Sequence, residues 1–246
     1  MKIADRIYLV GSGLAGCSLT HDSDCNVYAI DCGDGFAIVD SGCGIETERL
    51  IANLVKDGIP SDLVRWLLLT HGHLDHAGGA RALHDALGLQ VAASVETGRA
   101  VSTGDEEAIS LGAAKRAGIY PGSILFRSCP VAKILRDGDE LTFDRCAVQV
   151  LETPGHSRDM ISFLFRHDGE YDLFCGDTIF HGGRILLQDV ADCDIPAYTR
   201  TLRRLASLEI DGLYPGHLMW SEGRGQWHLQ QTLKYLDKLL LPPNIL

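Results

Sequence analysis

The stretch His71-Gly72-His73-Leu74-Asp75-His76 follows directly on the apolar run Val64-Arg65-Trp66-Leu67-Leu68-Leu69 and Thr70. Three imidazoles and a carboxylate in so short a span are metal-ligand chemistry, and this donor set suits zinc, manganese or iron better than calcium or magnesium. An apolar strand that ends in such a cluster delivers its ligands to one point at the strand's carboxyl end. The segment Ala77 to Leu87, rich in Ala, Gly and Leu, reads as a helix. The cluster therefore falls on a strand-to-helix loop, where α/β proteins place their chemistry. The chain holds ten histidines in all, so three within six residues is not an incidental polar turn.

Outward from this point the pattern alternates between strands and helices. Residues 6–10, 26–31 and 35–41 read as strands, and 45–56 as a helix that exits at Asp57-Gly58-Ile59-Pro60. After the strand at 64–70 and the helix at 77–87 comes a strand near 89–93. A small, polar helical stretch over 95–118 then ends at Tyr120-Pro121-Gly122-Ser123. The second half repeats the plan, with strands at 131–135, 140–143, 146–152, 160–166 and 171–176. Helices at 195–207 and 224–241 flank a short strand at 212–215. No linker or low-complexity stretch interrupts residues 1–246, which predicts one domain. Strand-rich halves, each closed by helices, predict two sheets packed face to face with helices outside.

Composition narrows the function. The chain has 246 residues, 46% hydrophobic and 22% charged, as in ordinary globular proteins. Its 22 Lys and Arg against 33 Asp and Glu leave a formal charge of −11. That balance opposes nucleic-acid binding, which needs a cationic face. Eight cysteines are scattered without a C-x-x-C pair. The start Met1-Lys2-Ile3-Ala4-Asp5-Arg6 lacks an apolar secretory region, so reduced thiols and a cytoplasmic location are expected. No apolar segment approaches the ~20 residues of a membrane span.

Four further positions repeat the grammar of the cluster, a polar side chain beside Gly or Pro at the end of an apolar run. They are His156 in Thr153-Pro154-Gly155-His156, Asp177 after Gly176, His217 after Pro215-Gly216, and Asp40 before Ser41-Gly42. An H-x-H-x-D-H motif followed by a lone His, a lone Asp and a lone His, in that order, resembles the metallo-β-lactamase superfamily. The resemblance runs from about Asn26 to His217 and implies an α/β, four-layer αββα sandwich of two mixed β-sheets flanked by helices. It implies one metal held by His71, His73 and His156, a second held by Asp75, His76 and His217, and Asp177 bridging the two. Asp40 matches the family's early Asp, which supports the ligands through hydrogen bonds rather than binding metal.

Counted from the residues, each metal keeps a position for solvent, the mark of a catalytic site. Two divalent ions, zinc first and manganese or iron as alternatives, would make a bridging hydroxide available near neutral pH. The expected activity is hydrolysis of a small-molecule ester, thioester or lactone, with Asp75 and Asp177 as the catalytic carboxylates. The bridging Asp177 sets the chain apart from zinc β-lactamases. The stretch Cys175-Gly176-Asp177-Thr178-Ile179-Phe180-His181-Gly182-Gly183-Arg184 resembles glyoxalase II and its thioesterase-like relatives, although only 29 residues follow His217. Phe180 stands where related lactonases typically carry Tyr. Persulfide dioxygenases, which use one iron on the same ligands, are the alternative reading.

Other signals carry less. Gly11-Ser12-Gly13-Leu14-Ala15-Gly16 spells a dinucleotide fingerprint, but the polar segment Ser18 to Asn26 breaks before a crossover helix, so a flexible glycine loop near the site rim is expected. His21, His84, His167 and His228 read as surface or internally satisfied histidines. Tyr120, Phe180, His181 and Arg184 are candidate substrate contacts, with Tyr120 in a substrate-covering insertion around 95–130. The apolar stripe Trp227, Leu233, Leu236 and Leu240 reads as core packing rather than a dimer seam, and a homodimer is left open.

Overall fold

The apolar run ahead of the ligand cluster is strand β4, Val64–Leu68. It lies between β3 (Phe36–Val39) and β5 (Gln90–Ala93) and is parallel to both. Central parallel strands are covered on both faces, which is why β4, past the exposed Arg65, reads as an apolar run rather than an alternating one. Leu67 and Leu68 are fully buried. Each side chain of this kind contributes about 1.5–3 kcal/mol through burial.

The computed structural model describes residues 1–246 and divides into two compact units. The first comprises Met1–Asp31 and Gly35–Leu135. Its sheet runs β1-β2-β3-β4-β5-β6, with β1 at Ile7–Gly11, β2 at Val27–Asp31 and β6 at Lys133–Ile134. Pairing is antiparallel from β1 to β3 and parallel from β3 to β6. The register of β3 on β4 shifts once: Phe36 faces Val64, but Ala37 faces Trp66 and Val39 faces Leu68. Helix α1 (Thr47–Lys56) packs its buried Leu50 and Leu54 into this unit's core, with Leu83 of α3 (Ala80–Leu87) in the same cluster.

The second unit comprises Cys32–Asp34 and Arg136–Leu246. Its sheet runs β11-β10-β9-β8-β7, from Gly212–Pro215 through Glu170–Gly176, Ile161–His167 and Ala147–Glu152 to Glu140–Thr142. Only the β10–β11 pair is parallel. Helix α6 (Ile195–Ala206) begins at Asp194, whose carboxylate accepts the Ala197 N–H at 2.8 Å, a standard helix cap. It buries Tyr198, Leu202 and Leu205 in a core shared with Leu229 and Leu236 of α7 (Gly225–Leu236).

Three helices differ from the sequence expectation. The helix expected from Ala77 starts earlier and in two pieces, α2 at Leu74–Ala77 and α3, with Gly78 and Gly79 between them. The break comes from a close approach: a Cβ on Gly79 would lie 2.2 Å from the Ser41 carbonyl. Ser41 N–H donates to His76 O at 2.7 Å and Gly79 N–H to Gly42 O at 2.9 Å, stitching this junction to the turn after β3. The stretch 95–118 is likewise two helices, α4 (Val95–Thr103) and α5 (Leu111–Arg116), parted at Gly104 in a left-handed conformation. Helix α7 stops at Leu236, short of residue 241. Residues 12–26 form no crossover helix; hydrogen bonds from Gly13 N–H to Asp24 O and from Ser12 Oγ to Asn26 Oδ1 close the loop. No helix is long and apolar enough to cross a membrane.

Candidate metal centre

Asp40 organises the ligand cluster of the first unit. It leaves β3 with φ of +61°, a left-handed conformation that Asp adopts more readily than most residues. Its N–H donates to Leu68 O at 3.0 Å, which sets its side chain against the end of β4. The carboxylate, 1% exposed, accepts from Thr70 N–H at 2.8 Å, Thr70 Oγ1 at 2.8 Å and His76 Nδ1 at 2.8 Å. Because the Thr70 hydroxyl gives its proton to Asp40, its oxygen accepts from His71 Nδ1 at 3.1 Å. Both neutral rings therefore carry the proton on Nδ1 and present a lone pair on Nε2.

The cluster itself is tight. The His71 ring lies 4.6 Å from His73 and 4.1 Å from His76, centroid to centroid. His76 Nε2 lies 3.6 Å from Asp75 Oδ2. Asp75 and His76 sit in the single turn of α2, not on a free loop as expected, and the turn aims them together with the histidines that precede it. Cys25, which the sequence did not single out, completes a buried group with Asp40 and His76, and burial pushes its thiol up to about 12. Tyr120 is half-buried against this unit's core, its hydroxyl held protonated by burial and by the Asp75 charge.

The second unit brings His156, Asp177 and His217 together at the carboxyl ends of β8, β10 and β11. One oxygen, Asp177 Oδ2, lies 3.6 Å from His156 Nε2 and 3.4 Å from His217 Nε2. His156 Nδ1 donates to the Leu186 carbonyl at 3.1 Å, so its neutral ring also offers the Nε2 lone pair. Tyr198 positions this group: its hydroxyl donates to Asp177 O at 2.8 Å and accepts from Leu186 N–H at 3.3 Å. Gly155 permits the approach, since a Cβ there would meet Tyr198 at 2.5 Å.

Both groups pass a chemical test for metal. Imidazole lone pairs face carboxylate oxygens at 3.4–3.6 Å, an arrangement of electron-rich atoms that a cation between them turns from repulsive to favourable. Protons fixed on Nδ1 by a carboxylate, a hydroxyl and a carbonyl are the usual outer support of zinc-binding imidazoles.

Among the candidate substrate contacts, Phe180 is fully buried with its ring 6.4 Å from that of His217. His181 and Arg184 are exposed on the turn that follows. Of the two alternatives for His228, surface or internally satisfied, the structure shows the second: it is buried, accepts the Gly182 N–H on Nδ1 at 2.8 Å and holds that turn. Burial, then the nearby His181, lowers its pKa from 6.5 to about 4. The fold thus prefers the neutral ring. Stability from this contact is expected to be full above about pH 6.5 and to fall as pH drops toward 4. Thermal midpoints against pH, compared with His228→Asn, measure it; identical acid limbs would remove the assignment.

Residues 22–217 match the model of the metallo-β-lactamase superfamily. The chain belongs to that superfamily. A hydroxyacylglutathione hydrolase, GloC, of Haemophilus influenzae is 32% identical over 167 residues, 68% of each chain. An atrochrysone carboxyl ACP thioesterase of Aspergillus fumigatus is 28% identical over 193 residues, 78% of this chain and 50% of that one. The chain spans about half the length of several curated superfamily relatives it matches. Among solved structures, the metallo-β-lactamase of Cronobacter sakazakii superposes with a TM-score of 0.73 at 17% identity, covering 97% of this chain and 96% of that one. GOB-18 of Elizabethkingia meningoseptica gives 0.73 at 18%, covering 97% and 89%. These two show the superfamily fold, two mixed β-sheets with flanking helices, in agreement with the sequence expectation.

Proposed function

We propose that this superfamily member is a metal-dependent hydrolase of small acyl thioesters, and that the two His/Asp groups serve one dinuclear centre. The observation that carries the reading is Asp177 Oδ2 within 3.6 Å of two imidazole nitrogens, a placement that suits a carboxylate shared between ions. Relatives named for glutathione-thioester and acyl-carrier thioester hydrolysis favour a thioester over an ester or lactone. In this reading His71, His73 and His156 hold one ion, Asp75, His76 and His217 the other, and Asp177 both. Zinc is the first choice for such a donor set. Divalent ions bound there supply activated water and an electrophile for the scissile carbonyl.

The chain's own residues do the rest. Asp40 and Thr70 hold His76 and His71 in the tautomer that keeps Nε2 available. Asp75, with its side chain 20% exposed, is the carboxylate placed to orient a water molecule and pass its proton to the leaving thiolate. Tyr120, beside the charge of Asp75, forms part of the substrate wall.

The protein purified without added metal is expected to carry at least two equivalents of divalent ion, two of them in the His/Asp centre, and to hydrolyse small acyl thioesters. Chelation should abolish turnover and zinc should restore it. Less than one equivalent with no gain on adding zinc or manganese would overturn the reading. Native iron with oxygen consumption on a persulfide would replace it with the dioxygenase alternative.

A further inference from the structure

A second kind of donor cluster lies in the first unit, outside the His/Asp set. His21, Asp24 and Cys43 place one ligand atom each within 4.8 Å of the others. The turn that folds Asp24 N–H onto His21 O at 2.8 Å brings the first two together. Gly42, left-handed at φ +71°, lets the chain after β3 close on Asp24; a Cβ there would lie 2.7 Å from Asp24 Oδ1. Cys43 N–H then donates to the same oxygen at 2.8 Å.

Two features separate this cluster from a polar turn. Asp24 is a buried carboxylate, 5% exposed, whose partners are the amide and thiol of Cys43, and no Lys or Arg pairs with it. Buried charges ordinarily have a counter-charge or a metal. Second, Cys43 Sγ lies 3.6 Å from His21 Nδ1. A tetrahedral zinc with bonds of about 2.1 Å to nitrogen and 2.3 Å to sulfur sets these ligands about 3.6 Å apart. The Ser23 N–H points at Nδ1 from 3.2 Å, so that nitrogen bears a lone pair, and a cation would displace this long contact. Cys43 is 3% exposed while His21 is half-buried, which leaves one side open for entry and for a solvent ligand.

We propose that His21, Asp24 and Cys43 form a further site for a thiophilic divalent cation such as zinc, whose ligands are distinct from the His/Asp centre. On binding, Cys43 loses its thiol proton to solvent as the sulfur–metal bond forms, and Asp24 binds through its carboxylate. The dication and two anionic ligands sum to zero, which suits a buried location. The ion clips the loop 12–26 to the turn that carries Asp40.

Cobalt reports it directly, because the His/Asp set contains no sulfur. The full-length protein, stripped of metal and reloaded with Co2+, is expected to show a thiolate-to-cobalt charge-transfer band in the near ultraviolet. Cys43→Ser should abolish the band and Cys25→Ser should keep it. His73→Ala should remove cobalt from the His/Asp set and leave the band, so the two assignments fail separately. His21→Ala, at a half-exposed position, should bind one equivalent less zinc than wild type even if Cys43→Ser does not fold. No band, a band that survives Cys43→Ser or depends on Cys25, or unchanged zinc content in His21→Ala would overturn the proposal.

Discussion

Asp177→Asn is expected to lower kcat/KM for thioester hydrolysis by about 10³-fold or more, a loss of about 4 kcal/mol of transition-state stabilisation. The substitution preserves shape but removes the charge that His156 and His217 share through one oxygen. An amide nitrogen in place of Oδ2 repels a cation instead of binding it. The fold should survive, because the Tyr198 hydroxyl bonds the backbone carbonyl of residue 177 rather than its carboxylate. Kinetics paired with metal analysis and a thermal midpoint check this. More than a tenth of wild-type activity with full metal content would remove Asp177 from the centre.

Asp40→Asn tests the support beneath the other group. Asn tolerates the left-handed backbone at this position, so strain is not added. It replaces one of two acceptor oxygens with a donor, while three donors converge there: Thr70 N–H, Thr70 Oγ1 and His76 Nδ1. If the amide nitrogen faces His76, the ring flips its proton to Nε2 and loses the lone pair needed for metal. Metal affinity is expected to fall 10–100-fold, with activity restored in part by excess zinc. Unchanged affinity would show that Asp40 is structural only. Asp40→Ala should do worse, orphaning buried donors at about 1–3 kcal/mol each.

The residues of the two His/Asp groups were legible because chemistry-bearing residues sit at the ends of apolar runs, beside Gly or Pro. The sheets were legible too, since β4 and β10 end in buried apolar stretches, Leu67–Leu68 and Leu173–Cys175. Of what supports these groups, Asp40 was legible through the family resemblance, and the rest was not. Thr70, Tyr198 and the Leu186 carbonyl act across gaps of 30, 21 and 30 residues, and nothing local marks them. Helix limits failed where tertiary approach overrode propensity. Gly79 breaks a helix because Ser41 presses on it, and no periodicity reports a neighbour that close. The His21–Asp24–Cys43 group escaped for the same reason, as Cys43 lies 19 residues from the turn that holds the other two.

The single register shift between β3 and β4 bears on how this chain tolerates change in length. Beyond it, Val39 faces Leu68, so Asp40 and Thr70 leave their strands side by side. Side chains alternate faces along a strand, and a slip of one residue would turn the Asp40 carboxylate to the wrong side of the sheet. Insertions between α1 and β4 leave that pairing untouched and can accumulate as lineages diverge. A single insertion or deletion between Ala37 and Asp40, or between Trp66 and Thr70, would cost the ligand support at a stroke. Length variation among descendants of this sequence should therefore be absent from these two segments.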